Sequence, residues 1–273
     1  MKTISYYIGE FILAILIIIL AGLMLLGNTI FKEDFMVKEI EKSNFISELY
    51  KTTEEEFSYY ILQSGLSEEV VAGLISESEM KEAFLNYLHD FYEGNTMEIP
   101  TDQIKARLED NIIAYLSHNN LTVSDEASLD MFVEEIMNTY KQNMENSFLL
   151  GKVQTPFVKI KNLIPTITIM LSITIILLGL LLKFGTKRNV LGIPLFTSAF
   201  VYGTLYIYLL NSLDMQNFYV YNTSFSNLMK SIQTSIYSNI IMIIISCAVL
   251  VLLSTGISSI HTKKGKKKIK TNA

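Results

Sequence analysis

Four stretches of the chain carry no Asp, Glu, Lys or Arg: Phe11 to Ile30, Leu163 to Leu182, Val190 to Leu210 and Asn239 to Ser258. Each is roughly 20 residues long, which at about 1.5 Å per residue matches the ~30 Å hydrocarbon core of a bilayer. A soluble core helix keeps a polar stripe at helical spacing, and these stretches are apolar on every face. Composition agrees with lipid as their solvent. Hydrophobic residues make up 50% of the chain and charged residues 18%, against about a quarter charged in ordinary soluble proteins. The expected fold class is an all-α membrane protein with four transmembrane helices.

The first stretch has a rival reading as a cleaved signal peptide. Lys2 is its only basic flank, Glu10 adjoins the apolar run, and no small-residue cleavage pattern follows. These features favour an uncleaved anchor.

Orientation follows from basic residues in the short flanking segments. Lys183, Lys187 and Arg188 lie between the second and third spans. Lys263, Lys264, Lys266, Lys267, Lys268 and Lys270 follow the fourth. Both termini and the basic loop are therefore expected in the cytoplasm, with residues 31–162 outside the cell membrane. From Asn28 to Asn162 there are 25 acidic and 11 basic residues, a net of −14 within an overall −5. So acidic an exterior is ill suited to nucleic acid or anionic headgroups. The only cysteine, Cys247, lies in the fourth span. The outer domain must then hold together by packing alone, as suits a bacterial envelope.

The domain division expected is an N-terminus and first span over 1–30 and a helical extracytoplasmic domain over 31–162. The second to fourth spans follow over 163–258, with an outer loop at about 211–238, and then a polybasic tail over 259–273. Within the outer domain, apolar residues from Val37 to Ile61 can prolong the first span as one helix ending at Gly65, a residue suited to a left-handed cap. Ser67 opens a short helix, and Ser76 with Glu79 has capping-box spacing. Met80, Phe84, Leu85, Leu88 and Tyr92 form the face of a helix that ends at Gly94. Thr101 caps another with Ile104, Leu108, Ile112 and Leu116. Ser124 starts the last, with Leu129, Phe132, Ile136, Tyr140, Met144 and Phe148. Gly151 and Pro156 are expected to break or bend the chain before the second span. About five one-faced helices can bury a common core as a helical bundle. In the outer loop, Phe225, Leu228, Met229, Ile232 and Ile236 recur at helical spacing. They fit either an interfacial helix or a plain lead-in to the fourth span.

No constellation for chemistry emerges. The three histidines, His89, His118 and His261, have no HExxH pattern and no cysteine partner, so neither metal nor other cofactor is expected. His118 suits a helix C-terminus, where a cation opposes the dipole. Glu54-Glu55-Glu56 and Glu134-Glu135 are neighbours on helices, so their side chains diverge. No serine sits in a nucleophile elbow and no phosphate-binding glycine loop occurs. The expectation is a chain that is not an enzyme. The span centres hold hydroxyls and tyrosines but no ionisable group of the kind that ion-coupled carriers keep.

Two features suggest contacts. Ala199 and Gly203 form a small-xxx-small pair that could seat another helix. The tail lysines are placed to fix the fourth helix or to meet anionic lipid. The partners expected are the bilayer and either a membrane protein or a second copy of the chain, with no nucleic acid. The ten residues before the first span, the basic loop and the tail are each too short to bury a core, so any signal must travel through helix packing.

A large loop between the first two of four spans, with both ends inside, resembles the topology of permeases of the FtsX and MacB type. That resemblance implies a transport component coupled to an ATPase. The stretch from Phe31 through Leu108 also resembles uncharacterised bacterial four-span membrane proteins with a helical ectodomain, and implies no activity. The leading functional expectation is a sensor, scaffold or accessory subunit of a membrane complex.

Overall fold

The structure is a computed structural model that describes residues 2–122, 126–146, 150–185, 189–212 and 223–270. Among these residues every regular element is helical. In chain order they are α1 (Lys2–Asn28), α2 (Glu33–Lys42), α3 (Phe45–Ser64), a 3-10 turn (Glu68–Val70), α4 (Glu77–Glu93) and α5 (Asp102–His118). Then come α6 (Glu126–Asn146), α7 (Leu150–Gly185), α8 (Gly192–Ser212) and α9 (Thr223–Lys270). Four helices are long and apolar enough to cross a membrane: Ile4–Asn28, Val153–Phe184, Gly192–Asn211 and Thr223–Gly256. The chain is thus an all-α protein with four such helices and a helical region between the first and second.

Packing divides it into two units. One holds α1, α8 and the greater parts of α7 and α9. In it, α1 and α8 share a close seam: Leu13, Ala14, Leu195, Ser198 and Tyr202 are all buried. The Tyr202 hydroxyl donates to the Ile18 carbonyl at 2.7 Å, and a Cβ on Gly22 would lie 3.1 Å from that hydroxyl. Small residues let the two backbones approach, which is what membrane helices use where burial from water supplies no driving force.

Glycine also sets the place of α7 beside α1. A Cβ on Gly9 would meet Leu182 at 2.6 Å and one on Gly27 would meet Ile164 at 3.0 Å. Both pairs of positions are the same distance apart in sequence, so the helices run antiparallel, touching at points about 27 Å apart. Between α9 and the ends of α8, Tyr237 donates to the Leu209 carbonyl at 2.9 Å and Asn189 donates to Ser254 at 3.1 Å. These bonds sit at opposite ends of α8, so α9 is antiparallel to it. Glu10 lies inside the helix, in the span Ile4–Asn28, and is buried. A search for charge-free runs starts at Phe11 and so leaves it just outside.

The second unit comprises Glu33–Lys159 and Asn217–Ser231. It is a helical bundle with its own core, in which Phe45, Phe57, Ile61, Phe84, Leu88 and Tyr140 are nearly inaccessible. The Phe45 and Phe84 rings lie 5.0 Å apart, within the range where aromatic pairs add to plain burial. Phe157, at the start of α7, packs against Phe91 and Tyr92 at 4.6 and 5.2 Å. Gln154 donates to the carbonyls of Asp90 and Asn95, which closes the end of α4.

Two expectations about local structure need correction, and one pair of alternatives is decided. The first span does not continue to Gly65 as one helix, because α1 stops at Asn28. The Asn28 amide donates to Met24 and the Thr29 hydroxyl to Leu25, both at 2.7 Å, so side chains satisfy the last carbonyls and the helix can end. A second break falls at Asn44, in the left-handed region with φ 55°, before α3 runs on to Gly65 with φ 77°. Of the break or bend expected at Gly151 and Pro156, the break is absent, since α7 runs through both. The interfacial helix of the outer loop is not separate either. Phe225 to Ile236 belong to α9, the lead-in alternative.

Other signals are seen as read. Ser76 and Glu79 form both bonds of the capping box, and Gly94 closes α4 with φ 78°. Ile104, Leu108 and Ile112 are buried on α5, and Ile136, Tyr140 and Met144 on α6. Thr101 stands at the start of α5 but makes no side-chain cap bond. Ser67 opens a 3-10 turn rather than an α-helix. Ser124 and Phe148 lie outside the described residues.

Candidate functional site

Consecutive residues on a helix are rotated by about 100°, and Glu54-Glu55-Glu56 show the consequence. Glu54 accepts from the Tyr50 hydroxyl, Glu55 lies 4.0 Å from Lys51, and Glu56 accepts from Asn143 at 2.6 Å. They do not converge, and Glu134 and Glu135 are both exposed. Among the described residues no group of three His, Cys, Asp or Glu side chains is placed to hold a metal ion.

The histidines separate in the same way. His89 on α4 meets Glu33 of α2, with Nδ1 3.0 Å from Oε1. That hydrogen bond, and then the Glu33 charge, raise the His89 pKa. His118 is the last residue of α5. The side chain of His261 lies outside the described ones, as do those of Lys263, Lys264, Lys266, Lys267, Lys268 and Lys270. The helix itself continues to Lys270.

Ala199 and Gly203 lie beside the buried face of α8, each half-buried. A Cβ on Gly203 would meet no atom within 4 Å, so the described residues seat no helix there. The glycines that do seat neighbours are Gly9, Gly22 and Gly27. They form no small-xxx-small pair with one another, and contact with Leu182, Tyr202 and Ile164 reveals them.

Three further features of the helical unit bear on a site. Arg107 on α5 forks onto Glu79, with Nη2–Oε1 at 2.8 Å and Nη1–Oε2 at 3.2 Å. Glu79 also closes the capping box, and its pKa is lowered by Arg107 first and Ser76 second. Glu39 on α2 is almost wholly buried at 2% exposure. Its Oε2 accepts from Ser231 at 2.5 Å and lies 3.6 Å from Lys42. A buried carboxylate is tolerable only with such partners, so this group ties α2 to the first turns of α9 within the unit.

The third is a cleft of about 220 Å³ between α3 and the segment that follows it. Phe57 and Ile75 are buried beneath it, and Glu54, Ser58, Glu68, Val71 and Ala72 form its walls. Phe57 lies three positions after Glu54 and Ser58 four, so one face of α3 supplies all three. The Tyr50 phenol is pushed up to about 12 by its bond to Glu54, then by burial and the charges of Glu54 and Glu77. Two carboxylates, Glu54 and Glu68, thus stand at the cleft mouth. Neither wall carries a nucleophile–base pair.

Compared with protein-family models, with curated proteins and with solved structures, the chain matches none.

Proposed function

We propose that this chain is a non-enzymatic multi-pass membrane protein that holds its helical unit outside the cell as a sensor, scaffold or accessory subunit of a membrane complex. The observation that supports this most is the partition of the fold. One unit is built of apolar helices that expose Leu, Ile and Phe, while the other is a bundle with its own aromatic core and an acidic surface. The chain passes between them within α7 and again within α9. The bundle thus shares α7 and α9 with two spans, and bistable packing among spans is a recognised way to pass on the bias of a bound partner. Both termini are assigned to the cytoplasm from the lysines of the tail and the α7–α8 connection.

Photo-crosslinking from Tyr59 and Ile113, both exposed on the bundle, tests the reading in intact cells. A discrete membrane-protein adduct, or a dimer of the chain, is the expected result. Recovery of an ATPase as the partner would instead favour a transport component of the permease type. No adduct from any exposed bundle position would overturn the reading.

A further inference from the structure

The bundle holds the two span helices it shares in chemically different ways. On α7, the Phe157 ring packs against Phe91 and Tyr92, and Gln154 donates to the backbone carbonyls of Asp90 and Asn95. A ring contact loses area gradually as its members slide. On α9 the hold ends in a buried carboxylate. Ser231, where α9 leaves the bundle unit, donates to Glu39 Oε2 at 2.5 Å, and Glu39 is 2% exposed. A hydrogen bond weakens steeply as its geometry worsens, and a buried charge that loses a partner is heavily penalised. This contact is therefore either made or broken. Glu39 sits on α2, ten residues long, between the turn that follows Asn28 and the left-handed Asn44. Besides its buried Met36 and Ile40, α2 is joined to α4 by exposed pairs, Lys81 with Glu41 and His89 with Glu33. Pairs of that kind hold weakly.

Past Ser231 the helix continues without interruption to Lys270, 48 residues from its start, or about 72 Å at 1.5 Å per residue. Asn189 meets it again at Ser254, 3.1 Å away, which is about 35 Å along the axis from Ser231. Rigid secondary elements of this kind carry coupling between distant points. We infer that the Glu39–Ser231 contact is a latch through which α2 sets the position of α9, and with it the packing at Ser254. The aromatic hold makes α7 the fixed post, and α9 is the helix that shifts. A partner that displaces α2 opens the latch, and one that seats α2 keeps it closed. The inference rests on the bundle being the part that meets a partner, but its test needs no partner.

The test is spin-label EPR on the full chain in lipid nanodiscs, in a Cys247→Ser background. A nitroxide on Gly256→Cys, an exposed position of α9, reports the far end of that helix. One on Leu181→Cys, where the parent residue of α7 is 70% exposed, is the reference. The quantity read is accessibility to a water-soluble nickel chelate relative to oxygen. Ser231→Ala should change this ratio at least about twofold at 256 and leave it unaltered at 181. Ser231→Thr, which keeps the hydroxyl, should restore the parent value. Hydrogen exchange of α4 reports whether the bundle stays folded. If Ser231→Ala speeds that exchange, the double variant Glu39→Gln/Ser231→Ala is read in its place, because it leaves no buried charge short of a partner. The same shift at 256 is expected. An unchanged ratio at 256, an equal change at 181, or no recovery with Ser231→Thr would overturn the inference. So would opening of α4 in both variants, which would make the contact structural only. Failure here with a crosslinked partner in cells would refute the latch and leave the proposed role standing.

Discussion

The two units solve the same packing problem under different solvents. In the bundle, large aromatic and aliphatic side chains fill the interior: Phe45, Phe57, Phe84 and Tyr140 are all but inaccessible. In the apolar unit the corresponding residues face outward, with Phe184 89% and Leu181 70% exposed, while small or polar groups such as Ala14, Ser198 and Tyr202 are inside. Water drives large apolar groups together, whereas lipid rewards close approach and hydrogen bonds between helices. A seam in which Ala14, Ser198 and Tyr202 are buried beside Leu13 and Leu195, beneath a surface of Leu, Ile and Phe, is therefore informative about the solvent itself.

The largest predicted effect breaks or keeps that contrast directly. Phe84→Ala should destabilise the bundle by about 3–5 kcal/mol, read as faster hydrogen exchange throughout α4. Phe200, 68% exposed on α8, should change stability by no more than about 0.5 kcal/mol when replaced by Ala. Equal costs would erase the distinction. Next is Gly22→Leu, which places a side chain where Tyr202 crosses α1. Overpacking there should cost about 1–3 kcal/mol, seen as a lower detergent-denaturation midpoint, with the exchange of α4 unaltered. A Gly203→Leu control should be near neutral, because that position is open.

A smaller effect concerns capping. Glu79→Ala removes one side of the capping box and the Arg107 fork together, and a loss of about 1–2 kcal/mol is expected in the bundle. Because the Glu79 pKa is lowered on folding, its contribution is present above the usual carboxylate range and lost as pH falls through the folded value. The smallest effect has the opposite sign. His89 is raised by Glu33, so its contribution is full below the ordinary histidine pKa of about 6.5 and fades as pH rises through the folded value. The melting difference between His89→Gln and the parent chain should be larger at acidic than at alkaline pH. A difference that does not vary with pH would remove this pair from the account.

Much of this was legible in the residues. Charge-free runs of span length have few alternative readings, and Ser76–Glu79, Gly65 and Gly94 mark helix ends through side-chain and backbone chemistry alone. The breaks at Asn28 and Asn44 were not legible, because apolar periodicity continues across them. They depend on Asn28 and Thr29 turning back onto carbonyls, and on Asn44 accepting a left-handed conformation. Pro156 misled for a related reason: proline disfavours helix interiors, yet Phe157 and Gln154 on either side are held by α4. The cleft joins Glu54 to Glu68 and Ile75 across a reversal at Gly65, a juxtaposition that no local pattern reports.

The account depends most on lipid surrounding the exposed faces of the apolar helices. The direct measurement is maleimide labelling of single cysteines in native membranes, in a Cys247→Ser background. Leu177→Cys on α7, where the parent residue is 56% exposed, should resist a water-soluble reagent even after permeabilisation, while Tyr59→Cys on the bundle reacts in intact cells. Rapid aqueous labelling of the cysteine at 177 would contradict the account, since an exposed position that meets water cannot belong to a membrane span.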